Sequence, residues 1–512
     1  MKTKSLSPNT LPDSQDYIDN LEAQNAVLMT ERDDFKRRYY QVLEELRLAR
    51  HHRFGASSEV DSEQGELFDI DEVSVDSESE EPSTQPHSAP KAKPARQPLP
   101  EALPRVVIRH EPEHTQCPDC GDALHCIGED ISEKLVFVPA KVEVEQHIRP
   151  KCICCQCEQR LGEVTVHQAP MPATVFPKSI ATSSLVAQMV AMKFHHGLPL
   201  TRVASLLATW DITISRRTIA DWVIQASTIL EPVWEHLRAA LLQQSWLHAD
   251  ETPVKVIGSD KSKTYMWVYC SGSDGPEPPP YDKHTRNIVL YDHQMGRSGC
   301  HATQFLSGYE GYLHVDGYQG YHDTAATLVG CWAHARRKFI EAQKVQGNDE
   351  GGVRTALTHI KKLYRTESLL NEGHKTAEER HEERQSTSKN ELTKFKKWLD
   401  KTALRVPKKS ALGKAVHYTL GQWDKLVRYI DDGHLNIDNN RGERAIRPFV
   451  VGRKAWLFNK SERGARSSCI LYSLVETAKA NGLVPADYLT YCFDRLATAP
   501  DDLDALLPWN VK

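Results

Sequence analysis

The chain has 512 residues, of which 26% are charged and 40% hydrophobic, and its mean hydropathy is −0.52. This length allows several domains of roughly 100–200 residues each, and the composition is typical of a soluble protein with folded cores. No apolar run approaches the roughly 20 residues of a membrane-spanning helix, and the N-terminal sequence lacks the apolar centre of a signal peptide. We therefore expect a cytoplasmic protein and exclude the secreted and membrane classes.

The formal charge of −5 is unevenly distributed. Residues 59–81 contain eleven Asp and Glu side chains and no Lys or Arg, so the chain without them would carry +6. A mildly basic body with a separate acidic segment favours a nucleic-acid partner, although charged runs are most often simply solvated. Residues 51–105, first acidic and then rich in Pro and basic residues, are too polar to bury a core and predict a disordered linker.

Residues 14–50 contain no Gly or Pro and predict a helix with an apolar seam. Asn25 occupies a second seam, where a polar residue can fix the register of a coiled coil. The pattern indicates a leucine-zipper-like coiled coil that joins copies of the chain into a homo-oligomer. The alternative is one amphipathic helix packed on its own body. The apolar residues that recur every seventh position are Leu21, Leu28, Phe35 and Val42.

The segment 106–165 is a compact cysteine-rich module, and seven of the twelve cysteines lie in it. Two Cys-x-x-Cys pairs can each supply one edge of a tetrahedral thiolate site for structural Zn²⁺. Two such pairs fit a structural metal better than a disulfide framework or a redox-active pair. The predicted ligands are Cys117, Cys120, Cys154 and Cys157. Further thiols that leave the ligand set open are Cys126, Cys152 and Cys155.

Residues 178–235 predict a helical, helix-turn-helix-like region. A short helix with apolar periodicity is followed by a turn near residues 211–215 and by a second helix that begins at Arg216 and Arg217. In such a motif the second helix contacts DNA, so both arginines are predicted DNA contacts. The alternative is that these helices only support the next domain.

The remaining chain alternates between two kinds of local structure. Several short β-type runs predict strands in residues 245–340, whereas the charged stretch 341–430 predicts helices. Residues 431–480 begin with a short basic motif and continue as a helix, and residues 481–512 form a C-terminal tail.

Three acidic residues stand out by their positions. Asp250 follows one β-type run, Asp316 closes another, and Glu443 lies near the start of a predicted helix. A carboxylate at the end of an apolar strand costs free energy unless something uses it. Two Asp and one Glu suit phosphodiester chemistry with two Mg²⁺ or Mn²⁺ ions. Spacing alone also allows helix capping or ion pairing.

Basic residues surround Glu443 between residues 441 and 466, and Trp456 and Phe458 lie among them. Arg and Lys neutralise phosphates while aromatic rings stack on bases, so this segment predicts a DNA contact. Its predicted phosphate-binding side chains are Arg444, Arg447, Arg453 and Lys454.

A second basic cluster, CWAHARRKF, follows the second Asp. Cys331 and His334 could form half of a metal site, but the sequence offers no evident second half. We expect His334 to form hydrogen bonds near the active site, with Arg336 and Arg337 supporting DNA. The alternative is a buried histidine beside a solvated basic turn.

These motifs closely resemble those of the transposases of the insertion sequence 66 family. The resemblance rests on LHADETPVKV, GYLHVDGYQGY, GCWAHARRKF, DNNRGERAIRPFVVGRKAWLF and LVETAKANGLVPADYL. The cysteine module and the segment RFGASSE resemble the zinc-finger and leucine-zipper-like regions of that family. The resemblance covers nearly the whole chain outside the acidic linker.

The resemblance implies a DDE transposase with a multidomain α+β and α/β fold. Residues 245–340 and 431–480 would form an RNase H-like core, interrupted by a helical insertion at 341–430, with Asp250, Asp316 and Glu443 as catalytic Mg²⁺ ligands. The protein would bind terminal inverted repeats and target DNA, cleave, and join strands near the bacterial nucleoid, with small accessory proteins from the same element. The alternatives are a non-catalytic DNA-binding regulator and a nuclease that cuts without joining.

Overall fold

The computed structural model describes residues 20–36, 38–39, 42, 142–153, 166–261, 263–273, 275, 284–346, 351–500 and 502–511. The chain divides into two compact units, of which one comprises Met1–Glu72 and Pro170–Lys512 and the other Val73–Ala169. Among the helices in the described ranges, none is long and apolar enough to span a membrane.

The N-terminal and cysteine-rich regions are described only in part. Residues 20–36 form a helix, and Leu21, Leu28 and Phe35 of the predicted seam are 43%, 60% and 71% exposed. In the smaller unit, strand β1 (Lys151–Ile153) pairs antiparallel with β2 (Val166–Gln168). The predicted zinc ligands Cys117, Cys120, Cys154 and Cys157 lie outside the described residues, so the zinc-ligand set stays a prediction.

A mixed five-stranded sheet forms the centre of the larger unit, with the strand order β5-β4-β3-β6-β7. The antiparallel pairs are β3 with β4 and β4 with β5, whereas β6 lies parallel to β3 and β7 parallel to β6. These strands are apolar and almost continuously buried, as expected of a sheet with both faces covered. They span Trp246–Val254 (β3), Thr264–Ser271 (β4), Ile288–Gln294 (β5), Tyr312–His314 (β6) and Thr327–Val329 (β7).

Three helices lie between β2 and β3 in the chain order. The third begins at Arg216, because the Ser215 hydroxyl accepts the backbone N–H of Thr218 at 3.1 Å and so caps its first turn. This helix is 26 residues long, longer than a DNA-recognition helix needs to be. It buries Trp234 and Leu237 in the hydrophobic core that it shares with the sheet. The helices are α1 (Ser183–Phe194), α2 (Leu200–Ala208) and α3 (Arg216–Leu241).

The rest of the described chain is helical apart from its connections. A π-helical turn, Arg384–Ser388, joins α7 to α8. The helices are α4 (Gly299–Phe305), α5 (Trp332–Gln346), α6 (Gly352–Glu372), α7 (Ala377–Glu383), α8 (Lys389–Ala403), α9 (Ala411–Gly421), α10 (Trp423–Val427), α11 (Asn440–Trp456), α12 (Glu462–Ala480) and α13 (Pro485–Leu496).

Helix α12 covers the edge of the sheet at β5. Thr477 accepts the backbone N–H of Val289 at 3.0 Å and donates to its carbonyl at 2.9 Å. Ser473 accepts the N–H of Tyr291 at 2.8 Å. An edge strand with unpaired backbone groups is a site for unwanted pairing, and these hydroxyls satisfy part of that edge.

The helical segment between β7 and α11 has its own core. Its buried aromatic side chains Trp332, Phe339 and Phe395 pack beside Trp246 and Val329 of the sheet. A buried ion network adds to this packing and involves Glu367, Arg380 and Arg384. The helical segment therefore packs directly against strands β3 and β7, next to the residues of the candidate site.

Candidate catalytic site

The register of the two central parallel strands places the first two predicted carboxylates side by side. His248 of β3 pairs with His314 of β6, and Asp250 and Asp316 each follow two residues later. Side chains two residues apart point to the same face of a sheet, and neighbouring strands are roughly 4.8 Å apart. The similar sequences LHAD and LHVD thus lie side by side, and they bring Asp250 and Asp316 close together.

Each aspartate is oriented by a local backbone hydrogen bond. The N–H of Glu251 donates to Asp250 Oδ1 at 2.8 Å, and the N–H of Tyr318 donates to Asp316 Oδ1 at 2.7 Å. Burial, with the nearby carboxylates of Glu251, Glu443 and Asp316, raises the pKa of Asp250 well above its usual range. Burial also raises the pKa of Asp316. These carboxyl groups are thus close enough to repel one another when they ionise, and a bound cation would relieve that repulsion.

The two histidines beneath these aspartates are neutral. His248 and His314 are fully buried and their rings stack 4.3 Å apart. Burial lowers the pKa of His248 to about 3 and that of His314 well below its usual value. Asn436 donates from Nδ2 to His248 Nε2 at 3.2 Å, which leaves the proton of this ring on Nδ1. The pair is therefore an uncharged support under both carboxylates.

Asn439 connects this support to the helix that carries Glu443. Its side chain accepts from His248 Nδ1 at 2.8 Å and donates to the carbonyl of Ala249 at 2.9 Å. Its N–H donates to Cys331 Sγ at 3.2 Å, and its carbonyl accepts the N–H of Glu443 at 3.2 Å. One buried amide thus fixes the first turn of α11 relative to the strand of Asp250.

Glu443 lies in that first turn and is 4% exposed. Its Oε1 is 3.3 Å from His334 Nδ1 and its Oε2 is 3.7 Å from the Arg337 guanidinium. Within the part of the chain that the structure describes, one group of three metal-ligand side chains comes together: Cys331, His334 and Glu443, with ligand atoms within 4.8 Å of one another. Asp250 and Asp316 are not members of that group, although Glu443 is close enough to act on Asp250 electrostatically.

Glu251 is a further buried acidic residue at this edge of the sheet, beyond the three carboxylates that the sequence motifs predict. Its side chain is 2% exposed and accepts from Arg297 at 2.7 Å and from the Tyr321 hydroxyl at 2.6 Å. Burial and the Asp316 carboxylate raise the pKa of Glu251 to about 7, against the lowering effect of Arg297. The adjacent Asp250 and Glu251 are visible in the sequence. The contacts of Glu251 are not, because Arg297 and Tyr321 are distant from it in sequence.

The predicted DNA-contacting residues occupy different environments. Arg216 and Arg217 are exposed at the start of α3, and Arg444 and Lys454 are exposed on α11. Arg336, Arg337 and Arg447 are partly buried. Arg453 differs from the others, since it is 8% exposed and donates to the Thr252 hydroxyl at 3.3 Å. This guanidinium ties α11 to β3 inside the larger unit.

Comparison with known families covers most of the chain. The model described as "Transposase IS66 family" matches residues 178–467. "Transposase C of IS166 homeodomain" matches residues 41–108, "zinc-finger binding domain of transposase IS66" matches 114–158, and "IS66 C-terminal element" matches 473–509. The zinc-finger match contains all four predicted thiolate ligands and supports a structural zinc.

Relatives of similar length occur in Sinorhizobium fredii. The uncharacterized protein y4jD is 32% identical over 78% of this chain and 79% of its own length. The uncharacterized proteins y4hP and y4qI are 30% and 31% identical, over 80% and 75% of this chain and 75% and 72% of their own lengths. Together with the family matches, which confirm the resemblance seen in the motifs, these relatives show that the chain belongs to the insertion sequence 66 family of transposases.

Proposed function

We propose that this protein binds the terminal inverted repeats of its insertion sequence and catalyses Mg²⁺-dependent DNA cleavage and strand transfer. The observation that carries the proposal is the position of Asp250 within β3 and of Asp316 just after the parallel strand β6, with Glu443 on a helix that Asn439 joins to β3. Repulsion between the carboxylates of Asp250, Asp316 and Glu443 is expected of a site that binds divalent cations.

The sheet supports an RNase H-like core for this proposal. Three antiparallel strands, β5, β4 and β3, are followed by β6 and β7, which run parallel to β3. Asp250 lies within β3, and Asp316 follows the end of β6. Glu443 lies on α11, which follows the helical insertion in the chain. This order, Asp on a strand, Asp after the next parallel strand and Glu on a later helix, is what the resemblance to DDE transposases implies.

Asp250, Asp316 and Glu443 would hold two Mg²⁺ or Mn²⁺ ions, which activate the attacking oxygen and neutralise the leaving 3′-oxygen. In the first reaction, water attacks a phosphodiester and releases a 3′-hydroxyl. In the second, that hydroxyl attacks a target phosphodiester, so that one bond forms as another breaks and no covalent enzyme intermediate arises. Arg337, 3.7 Å from Glu443, would stabilise the added negative charge at the phosphate.

Exposed cations near the site would hold the DNA backbone. Arg444 and Lys454 lie on α11 with Glu443, and Phe458, which is 42% exposed, offers an aromatic surface beside them. Such contacts give affinity that falls steeply as the salt concentration rises. Arg216 and Arg217, at the capped start of α3, form a second set of proposed DNA contacts.

The proposal is tested by cutting of a labelled terminal-repeat duplex in Mg²⁺. Asp250→Asn should abolish cutting while leaving DNA binding intact, because the amide keeps the shape of the carboxylate but not its charge. A matched control is Asp292→Asn, since Asp292 is also a buried aspartate of the sheet but lies on edge strand β5. Equal cutting by wild type and Asp250→Asn would contradict the catalytic assignment.

A further inference from the structure

The side chains of Cys331, His334 and Glu443 bring three different donor atoms together. Their sulfur, imidazole nitrogen and carboxylate oxygen lie within 4.8 Å of one another, and Nδ1 of His334 is 3.3 Å from Oε1 of Glu443. A tetrahedral ion with bonds of about 2.0–2.3 Å separates its ligand atoms by about 3.5 Å. Small side-chain rotations would therefore close these three donors around one ion.

Two helix starts hold the cluster in place. Cys331 directly precedes α5 and His334 lies in its first turn, so a Cys-x-x-His spacing puts both donors on one side of the helix. Glu443 lies in the first turn of α11, and the hydrogen bond from the Asn439 N–H to Cys331 Sγ joins the two starts. Cys331 and Glu443 are 3% and 4% exposed, whereas the His334 side chain is 19% exposed.

We propose that Cys331, His334 and Glu443 form a second cation site that takes a thiophilic divalent ion such as Zn²⁺ or Co²⁺. Thiolate and imidazole ligands select such ions, whereas Mg²⁺ prefers oxygen ligands alone. Three protein ligands leave a fourth position for water or a phosphate oxygen. These three residues belong to the larger unit, whereas the cysteine module belongs to the smaller one.

The surroundings make this site weaker than a four-cysteine site. Only the thiolate binds a metal, and burial, with Glu443 and Asp438, raises the pKa of the Cys331 thiol well above its usual value. Metal binding must therefore displace the thiol proton. Arg337, 3.7 Å from Glu443, adds a positive charge that opposes a cation. The cluster should fill only after the cysteine module is saturated.

The consequence for activity rests on the proposed function. A carboxylate coordinated together with Cys331 and His334 is withdrawn from the magnesium site of Asp250 and Asp316. Zn²⁺ at the cluster therefore inhibits DNA cutting in the presence of Mg²⁺, by removing Glu443 rather than by displacing DNA.

The binding test uses the full-length protein with its cysteine module already loaded with Zn²⁺. Added Co²⁺ should produce a thiolate-to-cobalt charge-transfer band that saturates at a stoichiometric amount of metal. Cys331→Ser should lose the band while keeping its zinc content. The matched control is Cys300→Ser, which removes an exposed cysteine outside the cluster and should keep the band. Absence of the band in the wild type, or its survival in Cys331→Ser, would overturn the proposal.

A second variant, His334→Gln, keeps the binding test valid if Cys331→Ser fails to fold. His334→Gln alters the more exposed ligand and should weaken Co²⁺ binding while the melting temperature stays near that of the wild type. Unchanged Co²⁺ affinity in a folded His334→Gln protein would also contradict the site.

The inhibition test compares DNA cutting in Mg²⁺ with and without Zn²⁺ for each protein. The wild type should lose most of its cutting, and Cys331→Ser should lose a much smaller fraction of its own. Equal inhibition of both would contradict the withdrawal of Glu443. A protein that never cuts DNA would contradict the proposed function, whereas the Co²⁺ titration decides the cation site independently.

Discussion

At the scale of single residues, Asp250 lies where its ionised form is disfavoured. Burial and the carboxylates of Glu251, Glu443 and Asp316 raise its pKa well above the usual range. A carboxyl group with a raised pKa stabilises the fold while it is protonated, and that contribution is lost as the pH rises from about 3.9 through the folded-state pKa. Asparagine does not titrate. Without Mg²⁺, Asp250→Asn should therefore be more stable than the wild type at neutral pH.

Thermal unfolding in Mg²⁺-free buffer measures this difference. The variant should melt above the wild type at neutral pH, and the two should converge as the pH falls to about 4. Buried histidines such as His248 are common to both proteins and cancel in the comparison. Added Mg²⁺ should stabilise the wild type but not the variant, because a ligand stabilises the state that binds it. A constant difference at all pH values would contradict the electrostatic account.

At the scale of secondary-structure elements, Asn439 joins the strand of Asp250 to the helix of Glu443. Asn439→Ala removes the side-chain hydrogen bonds to His248 and Ala249, so the carboxylates lose their fixed relative position. Loss of such supporting contacts typically costs about 10–100-fold in metal affinity or activity. We expect that decrease in DNA cutting, with a higher Mg²⁺ requirement.

The control for this variant is Asn481→Ala. Asn481 also donates two hydrogen bonds, both at 2.8 Å, to the carbonyls of Asn287 and Thr477 at the far side of the sheet. It should lower the melting temperature without changing the Mg²⁺ requirement of cutting. If both variants changed the Mg²⁺ dependence equally, Asn439 would have only a general structural role.

The buried ion network of the helical segment supports the loop that precedes α11. Glu367 accepts from Arg380 at 2.9 Å and from Arg384 at 2.7 Å, and Arg384 also donates to the carbonyl oxygens of Tyr429 and Leu435. Glu367→Gln leaves two buried guanidinium groups without their carboxylate. Breaking a buried ion pair in this way costs about 3–5 kcal/mol.

Chemical denaturation measures that cost as a change in the free energy of unfolding. The matched control is Asp400→Asn, which breaks an exposed pair with Lys396 and should cost less than about 1 kcal/mol. Equal losses for the two variants would show that the Glu367 network does not stabilise the segment.

The elements could be predicted from local signals, but the site could be predicted only in part. The apolar runs around Trp246 and Tyr265 indicate strands, and Ser215 before Arg216 marks a helix start. Both aspartates stand out in the sequence beside such runs; Asp316 does follow a strand, β6, whereas Asp250 lies within β3 rather than after it as predicted. The second half of the Cys331 and His334 cluster was not, because Glu443 is more than 100 residues away in sequence. The burial of Arg453 against Thr252 likewise depends on packing between distant elements.

At the scale of the whole molecule, the zinc-binding region and the sheet belong to different compact units. The larger unit has its own hydrophobic cores, so its folding should not depend on zinc. Cys117→Ser should therefore lower the zinc content and weaken binding to terminal-repeat DNA, while the main thermal transition changes little. Metal analysis and calorimetry test this. A variant that keeps its zinc would exclude Cys117 as a ligand, and collapse of the main transition would contradict independent folding.

Joining of terminal-repeat ends to target DNA is the reaction that distinguishes a transposase from a nuclease or a regulator. Purified protein is incubated with a labelled terminal-repeat duplex, a target plasmid and Mg²⁺, with small accessory proteins of the element added in a parallel reaction. We expect label joined to the plasmid by the wild type and by Asp292→Asn, and no joined product with Asp250→Asn. Cutting without joining would indicate a nuclease. Binding without cutting in both reactions would indicate a DNA-binding regulator and contradict the proposed transposition chemistry.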